Sequence, residues 1–264
     1  MSKSRDLSDF PARALDIDAS GNVGIGVVPK TWFPSLNTTA LQIGDTASLW
    51  SLTNGAGDLR TTLDSNFYVD ASGNDKYLNT GPGTRYQQIA GEHRWSSAAS
   101  GTADSTATVS DRMRINASGH ITTPYQPAFH AVGSGQWSTI PSGATTYITS
   151  WGSVTERGAY FNVNTGKFFA AVSGWYSFTF SSYTRGTTSG AYVYPKLRLN
   201  GVSDFGWTGN IQHYGTHSSN DKGSTTTVTM YMTQNDYVQA AFFASNGNCD
   251  YHHGSQTFSG YLIG

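Results

Sequence analysis

The chain of 264 residues is long enough for one large or two modest domains, and 37% of it is hydrophobic, so a buried core is within its reach. Only 12% is charged, two residues are glutamate and 30 are glycine, a composition that excludes long amphipathic helices and reads as all-β. A net charge of −1 without a basic stripe argues against nucleic acid as a partner, and no stretch is apolar enough for membrane insertion.

Residues 1–13 open the chain with Ser4-Arg-Asp-Leu-Ser-Asp-Phe10 and carry no apolar signal region. Three related turn signals follow: Asp18-Ala-Ser-Gly-Asn22, Asp70-Ala-Ser-Gly-Asn74 and Asn116-Ala-Ser-Gly-His120. In each, Asp or Asn accepts hydrogen bonds from the backbone just ahead and Gly takes the left-handed position. Strand-like residues precede all three, so they predict β-hairpins or short solenoid rungs, spaced too unevenly for a strict repeat fold. The stretch 80–110 is rich in Gly, Ser, Ala and Thr and shows little periodicity. Residues 1–126 hold 10 of the 35 aromatics, so this half is expected to be short of core and to gain stability from copies of itself.

Beyond Pro124 and Pro127 the texture changes to closely spaced aromatic strands, from Phe129-His-Ala-Val132 to Phe258-Ser-Gly-Tyr-Leu-Ile263. About nine candidates of this kind predict a two-sheet sandwich or jelly roll. Asn200-Gly201 marks a tight hairpin within it. Cys249 is alone, excludes an intrachain disulfide, and suits assembly in a reducing cytoplasm.

Five blocks, Phe161-Asn-Val-Asn-Thr-Gly-Lys-Phe168, Val172-Ser-Gly-Trp-Tyr-Ser-Phe178, Leu197-Arg-Leu-Asn-Gly201, Asn235-Asp-Tyr-Val238 and Phe258-Ser-Gly-Tyr-Leu262, resemble the complement globular-head family, which belongs with the tumour necrosis factor-like jelly rolls. The resemblance implies a ten-stranded jelly roll in a tight homotrimer, with aromatic strands along the threefold axis. Leu15-Asp-Ile-Asp-Ala-Ser-Gly-Asn-Val-Gly-Ile-Gly26 and Arg112-Met-Arg-Ile-Asn-Ala-Ser-Gly-His120 are similar to segments of bacteriophage tail fibres, and residues 4–10 to the short stretch with which some of those fibres begin. No collagen-like tract precedes the head, which favours a viral or bacterial owner.

Three polar segments read as loops able to meet a ligand: 181–192, 203–222 and 246–256. The second holds Trp207, His213, Tyr214 and His217, and the third Asp250, Tyr251 and His252; rings stacking on sugar faces, with carboxylate and amide partners for hydroxyls, would make a glycan site. The alternative is that these rings pack under their own loops or against a neighbouring subunit. His252 and His253 face opposite ways on an extended strand and do not suit one ion within a chain, while in a trimer one His from each chain could converge on the axis and hold an ion or an anion; surface or interface histidines are the expectation, and no metal and no cofactor is expected. Gly21-Asn-Val-Gly-Ile-Gly26 lacks dinucleotide-loop spacing and runs into Pro29. No carboxylate pair stands out for glycoside hydrolysis, so no catalytic residue is named.

The reading is a homotrimeric phage tail fibre or receptor-binding protein, a virion component assembled in the host cytoplasm. Residues 1–13 dock to a tail or baseplate protein, 14–126 intertwine as a β-rich shaft, and 127–264 form the jelly-roll head that binds a host cell-surface glycan. Its rivals are a purely structural virion part whose head only clamps three chains, and a polysaccharide depolymerase.

Overall fold

The computed structural model describes residues 15–34, 37–53, 59–149, 151–187, 189–205, 211–212 and 221–264. The chain divides into two compact units, Met1–Pro124 and Tyr125–Gly264. Among the described residues there are strands and short turns but no α-helix.

Among the described residues the first unit has eleven strands: β1 (Asp16–Ile17), β2 (Val23–Ile25), β3 (Thr39–Ile43), β4 (Ala47–Thr53), β5 (Leu59–Ser65), β6 (Phe67–Val69), β7 (Asp75–Tyr77), β8 (Gly81–Ile89), β9 (Glu92–Gly101), β10 (Ser110–Ile115) and β11 (Ile121–Thr122). Nine make one sheet in chain order, and β6 and β7 leave it as a separate hairpin. The three turn signals are the three hairpin turns β1–β2, β6–β7 and β10–β11. Their mechanism is common: the first side chain accepts two backbone N–H groups, at 2.9 and 2.8 Å for Asp18, 3.0 and 2.9 Å for Asp70, and 3.0 and 2.9 Å for Asn116. The glycine that follows sits at φ +83°, +85° and +83° respectively, where a side chain would be strained.

This half has a core after all, because the β6–β7 hairpin covers one side of the sheet. Phe67 and Tyr77 pack with Ala98, Ala107 and Val109, while Tyr68 and Val69 join Trp32, Trp50, Leu52 and Leu78. The stretch 81–101, expected to lack periodicity, is two long strands. Its alternation is hidden because the covered side needs small residues: a Cβ at Gly83 would lie 2.3 Å from the Phe67 ring, and one at Gly101 2.3 Å from that of Tyr77. Beneath the hairpin, Asp64 accepts from Trp50 Nε1 (2.8 Å) and from Arg85 Nε (2.6 Å), and Arg85 also reaches Asp75 at 2.8 Å. Burial raises the Asp64 pKa against the pull of Arg85; the pair is fully bonded, which is the condition for keeping charges there.

The second unit contains β12 (Ala128–Gly133), β13 (Trp137–Ile140), β14 (Thr145–Tyr147), β15 (Trp151–Arg157), β16 (Phe161–Asn162), β17 (Lys167–Phe169), β18 (Gly174–Gly186), β19 (Tyr192–Leu199), β20 (Ser203–Phe205), β21 (Ile211–Gln212), β22 (Asp221–Met232), β23 (Tyr237–Ser245), β24 (Cys249–His252) and β25 (Thr257–Leu262). One sheet runs β15–β12–β25–β18–β22, with β24 and then β13 continuing from the β25 edge of β18. The other runs β16–β17–β23–β19, with β14 on β23 and both β20 and β21 on β19. The chain crosses repeatedly between the two sheets, as a jelly roll does. Between them lies an aromatic core: Phe129, Tyr176, Phe178, Phe180 and Phe258 from the first sheet meet Phe161, Phe168 and Phe242 from the second. Asn200-Gly201 forms the tight turn between β19 and β20, both residues with positive φ.

Two expected loops are partly strand. Residues 181–186 complete β18, because Ser182 and Thr184 keep pointing inward while Tyr183 and Arg185 point outward. Residues 249–252 form β24, so Cys249 is not in a loop but fully buried in the core.

Candidate functional site

The outward side of the β12–β18 sheet ends in a cluster where β18, β24, β13 and β22 come together. Alternation places Tyr183 and Arg185 outward on β18, and register then sets Asp250 beside Arg185 and Thr139 beside Asp250. Trp137 pairs with His252 one step along, and Arg185 pairs on its other flank with Asp221.

These neighbours are bonded to one another. Asp250 accepts from Thr139 Oγ1 at 2.9 Å and from Arg185 Nη2 at 3.1 Å, so its charge is matched although it is buried. The Arg185 guanidinium lies 4.0 Å from the centre of the Trp137 ring, a cation–π distance that also fixes the indole. Trp137 meets His252 edge-on at 5.1 Å and Tyr183 at 5.8 Å. Tyr183 donates to Asp221 Oδ2 at 2.9 Å, and that bond raises the phenol pKa. Asp221 Oδ1 has no hydrogen-bond partner among the described residues. His252 Nδ1 lies 3.0 Å from Ser255 Oγ.

The result is a pre-set platform: an indole, a phenol and an imidazole around a guanidinium–carboxylate pair. It can stack on the apolar face of a ring while offering donors and acceptors to hydroxyls at its rim. No group of three metal-ligating side chains occurs among the described residues.

The expected site residues fare differently. Asp250 and His252 are part of this cluster. Tyr251, between them on β24, turns the other way; it is 4% exposed and packs on Phe242 at 5.1 Å and His253 at 4.4 Å, so it supports the site from beneath and offers no face to a ligand. Trp207, His213, Tyr214 and His217 lie outside the described residues. Sequence reasoning missed Trp137, Tyr183 and Arg185. The signal available was the unbroken inward alternation Phe178, Phe180, Ser182, Thr184, which carries β18 past the point where Ser, Thr and Gly suggested a loop. Trp137 had only a four-residue strand around it.

The opposite end of the same sheet face is apolar. Trp175 and Tyr231 meet edge-on at 5.8 Å, and both are about half exposed together with Tyr261 and Ile263. Between the two ends the face is a ladder of Ser and Thr, with Thr179 and Thr227 bonded at 3.0 Å and Ser181 and Thr225 at 2.9 Å.

Comparison with known proteins finds a C1q domain at residues 141–263. Among solved structures, the globular domain of zebrafish complement 1qA protein is 18% identical, the match covering 53% of this chain and 98% of that one, with a TM-score of 0.33. Eiger TNF from S. frugiperda is 10% identical, covering 53% and 94%, with a TM-score of 0.36. No curated protein matches the chain.

Proposed function

We propose that the chain is the subunit of a homotrimeric adhesin, a phage tail fibre or receptor-binding protein, whose C-terminal head binds a host surface polysaccharide. The observation that carries the binding half of this reading is the Trp137–Arg185–Asp250–His252 cluster on a C1q/TNF-like jelly roll. Domains of this class are generally trimerisation and binding modules without catalysis. The half-exposed Trp175, Tyr231, Tyr261 and Ile263 at the other end of the face suit a contact with further copies of the head, since that much aromatic surface gains by leaving water. On this reading residues 1–13 attach to the tail or baseplate, the first unit serves as shaft, and three modest sites on one rigid head act together through effective concentration. The phage context rests on the sequence resemblance alone.

The test is binding of the full chain to an array of bacterial surface polysaccharides, comparing Trp137→Ala and His252→Ala with the parent protein. Both variants are expected to lose binding by roughly tenfold or more, the worth of one stacked or hydrogen-bonded contact multiplied across sites, with the assembly mass unchanged. Unaltered binding would remove this cluster as the site. A purely structural role, with the head as clamp, is favoured by the exposed Trp175–Tyr231 pair. It predicts no polysaccharide binding by any variant and loss of the assembly in Trp175→Ser.

A further inference from the structure

The nine-stranded sheet of the first unit has one side covered by the β6–β7 hairpin and one side open. Along the open side a single row of directly paired residues crosses seven strands: Val23, Leu41, Leu49, Leu63, Tyr86, Trp95 and Met113. Leu49 is 43% exposed, Leu63 56% and Trp95 36%. A depression of about 530 Å³ lies on this row, lined by Leu63, Thr84, Tyr86, Trp95, Ser97 and Arg112.

The charges of the sheet are on the wrong side for a surface that meets water. In β3, β4, β5, β8 and β9 every formal charge, Arg60, Asp64, Arg85, Glu92 and Arg94, shares the side of the hairpin. The open side of those five strands carries only Thr, Ser, Ala, Leu, Ile, Pro, Tyr, Gln, His and Trp. Exposed sheet surfaces are normally guarded by charges against wrong association, and a contiguous apolar stripe without them marks an interface.

We infer that the open side of this sheet packs against other copies of the same chain. Size and charge favour that occupant. Seven strands at about 4.8 Å spacing, over five residues of about 3.4 Å, give a footprint of roughly 29 by 17 Å, about 490 Å² of flat area, which lies above the ~400 Å² per partner of a packing contact and below the ~800 Å² of a standard interface before side-chain relief is added. A partner selected by charge would find one cation to read, Arg112, which donates to Ser97 Oγ at 2.7 Å, whereas the apolar row repeated on a second copy buries apolar surface on both sides. This association belongs to the first unit and holds whatever the head binds.

The experiment is thiol labelling of the full chain carrying Leu63→Cys, with Leu49→Cys as a second reporter and Ser72→Cys, in the exposed β6–β7 turn, as the reference. Cys249 does not interfere, because it is fully buried and burial pushes its thiol pKa up to about 11. In an isolated chain Leu63→Cys and Leu49→Cys are open and would label like the reference. Packing against other copies predicts labelling about tenfold slower or more at both positions, with a light-scattering mass that is a multiple of 28.4 kDa. Reference-rate labelling in an oligomer would overturn the inference while leaving a trimer held by the head intact. Slow labelling in a particle of 28.4 kDa would overturn it too, by showing that something other than a second copy covers the face.

Discussion

Replacing Gly260 by alanine tests the packing of the head at one atom. Gly260 lies in the Phe258-Ser-Gly-Tyr-Leu block on β25, with ordinary strand dihedrals, so an alanine there adds no backbone strain. Its Cβ would stand 2.3 Å from Phe178 Cδ1, 2.6 Å from Phe178 Cε1 and 2.9 Å from Phe129 Cε1. Carbon atoms pack at about 3.5–4.0 Å, so the Phe178 ring must retreat by more than 1 Å, roughly the length of a bond. It has nowhere to go: Phe178 is fully buried, with ring centres of Phe168 at 5.5 Å and Phe258 at 6.0 Å. Overpacking of this kind costs about 1–3 kcal/mol, and two rings displaced at once put this case near 3 kcal/mol, or about 10 °C in Tm for a unit of this size. Gly223→Ala on β22 is the control, since its Cβ would meet nothing closer than Ser182 O at 3.7 Å. Near-UV circular dichroism of the full chain in urea, at equal protein concentrations, reads both, and Gly260→Ala paired with Phe178→Leu should recover at least ~1 kcal/mol of the sum. If Gly260→Ala unfolds within about 0.5 kcal/mol of Gly223→Ala, the explanation of this glycine by ring contact is wrong.

Two further outcomes concern pH. His253 is held below its ordinary pKa of 6.5, first by burial and then by the charge of His252, while its Nε2 lies 2.7 Å from Ser138 Oγ. The unfolded chain therefore binds a proton that the folded head refuses, so stability is complete above pH 6.5 and falls as the pH drops from there. The urea midpoint of the head should fall as the pH drops below 6.5, and His253→Asn should flatten that dependence; an unchanged slope in the variant would assign the effect to another group. Asp70 is lowered from 3.8, first by the backbone N–H of Asn74, so its share of stability is present above 3.8 and lost as the pH falls through its folded pKa. Asp70→Asn should keep the turn, as Asn116 does in the third hairpin, and remove that acid-dependent part; a destabilised variant at neutral pH would show that the carboxylate's charge is needed in addition to its geometry.

What could be read from residues alone depended on how local the determinant was. The three Asx–Gly turns were legible because one side chain and one glycine settle the backbone within five residues. The aromatic strands of the head were legible because bulky inward residues alternate with polar ones. Strands β8 and β9 were not, because Gly83, Ala98 and Gly101 are small only to admit Phe67 and Tyr77, which lie elsewhere in sequence. The same limit applied to the candidate site. Asp250 and His252 stood out as polar residues near the end of the chain, but the indole and guanidinium that organise them come from β13 and β18, 113 and 65 positions away from Asp250, and only register joins them.

Strand β18 has a mechanical consequence. Along one edge it is laddered to β22 through twelve consecutive residue pairs, and along the other it is shared by β25 and then β24. A pull directed along β18 therefore loads these ladders in shear, with many bonds sharing the strain at once, whereas a pull across it would open them in sequence like a zip. The core strand that carries Phe178 and Phe180 is also the one that ends at Arg185, so tension applied at the cluster runs lengthwise into the strongest direction of the sheet.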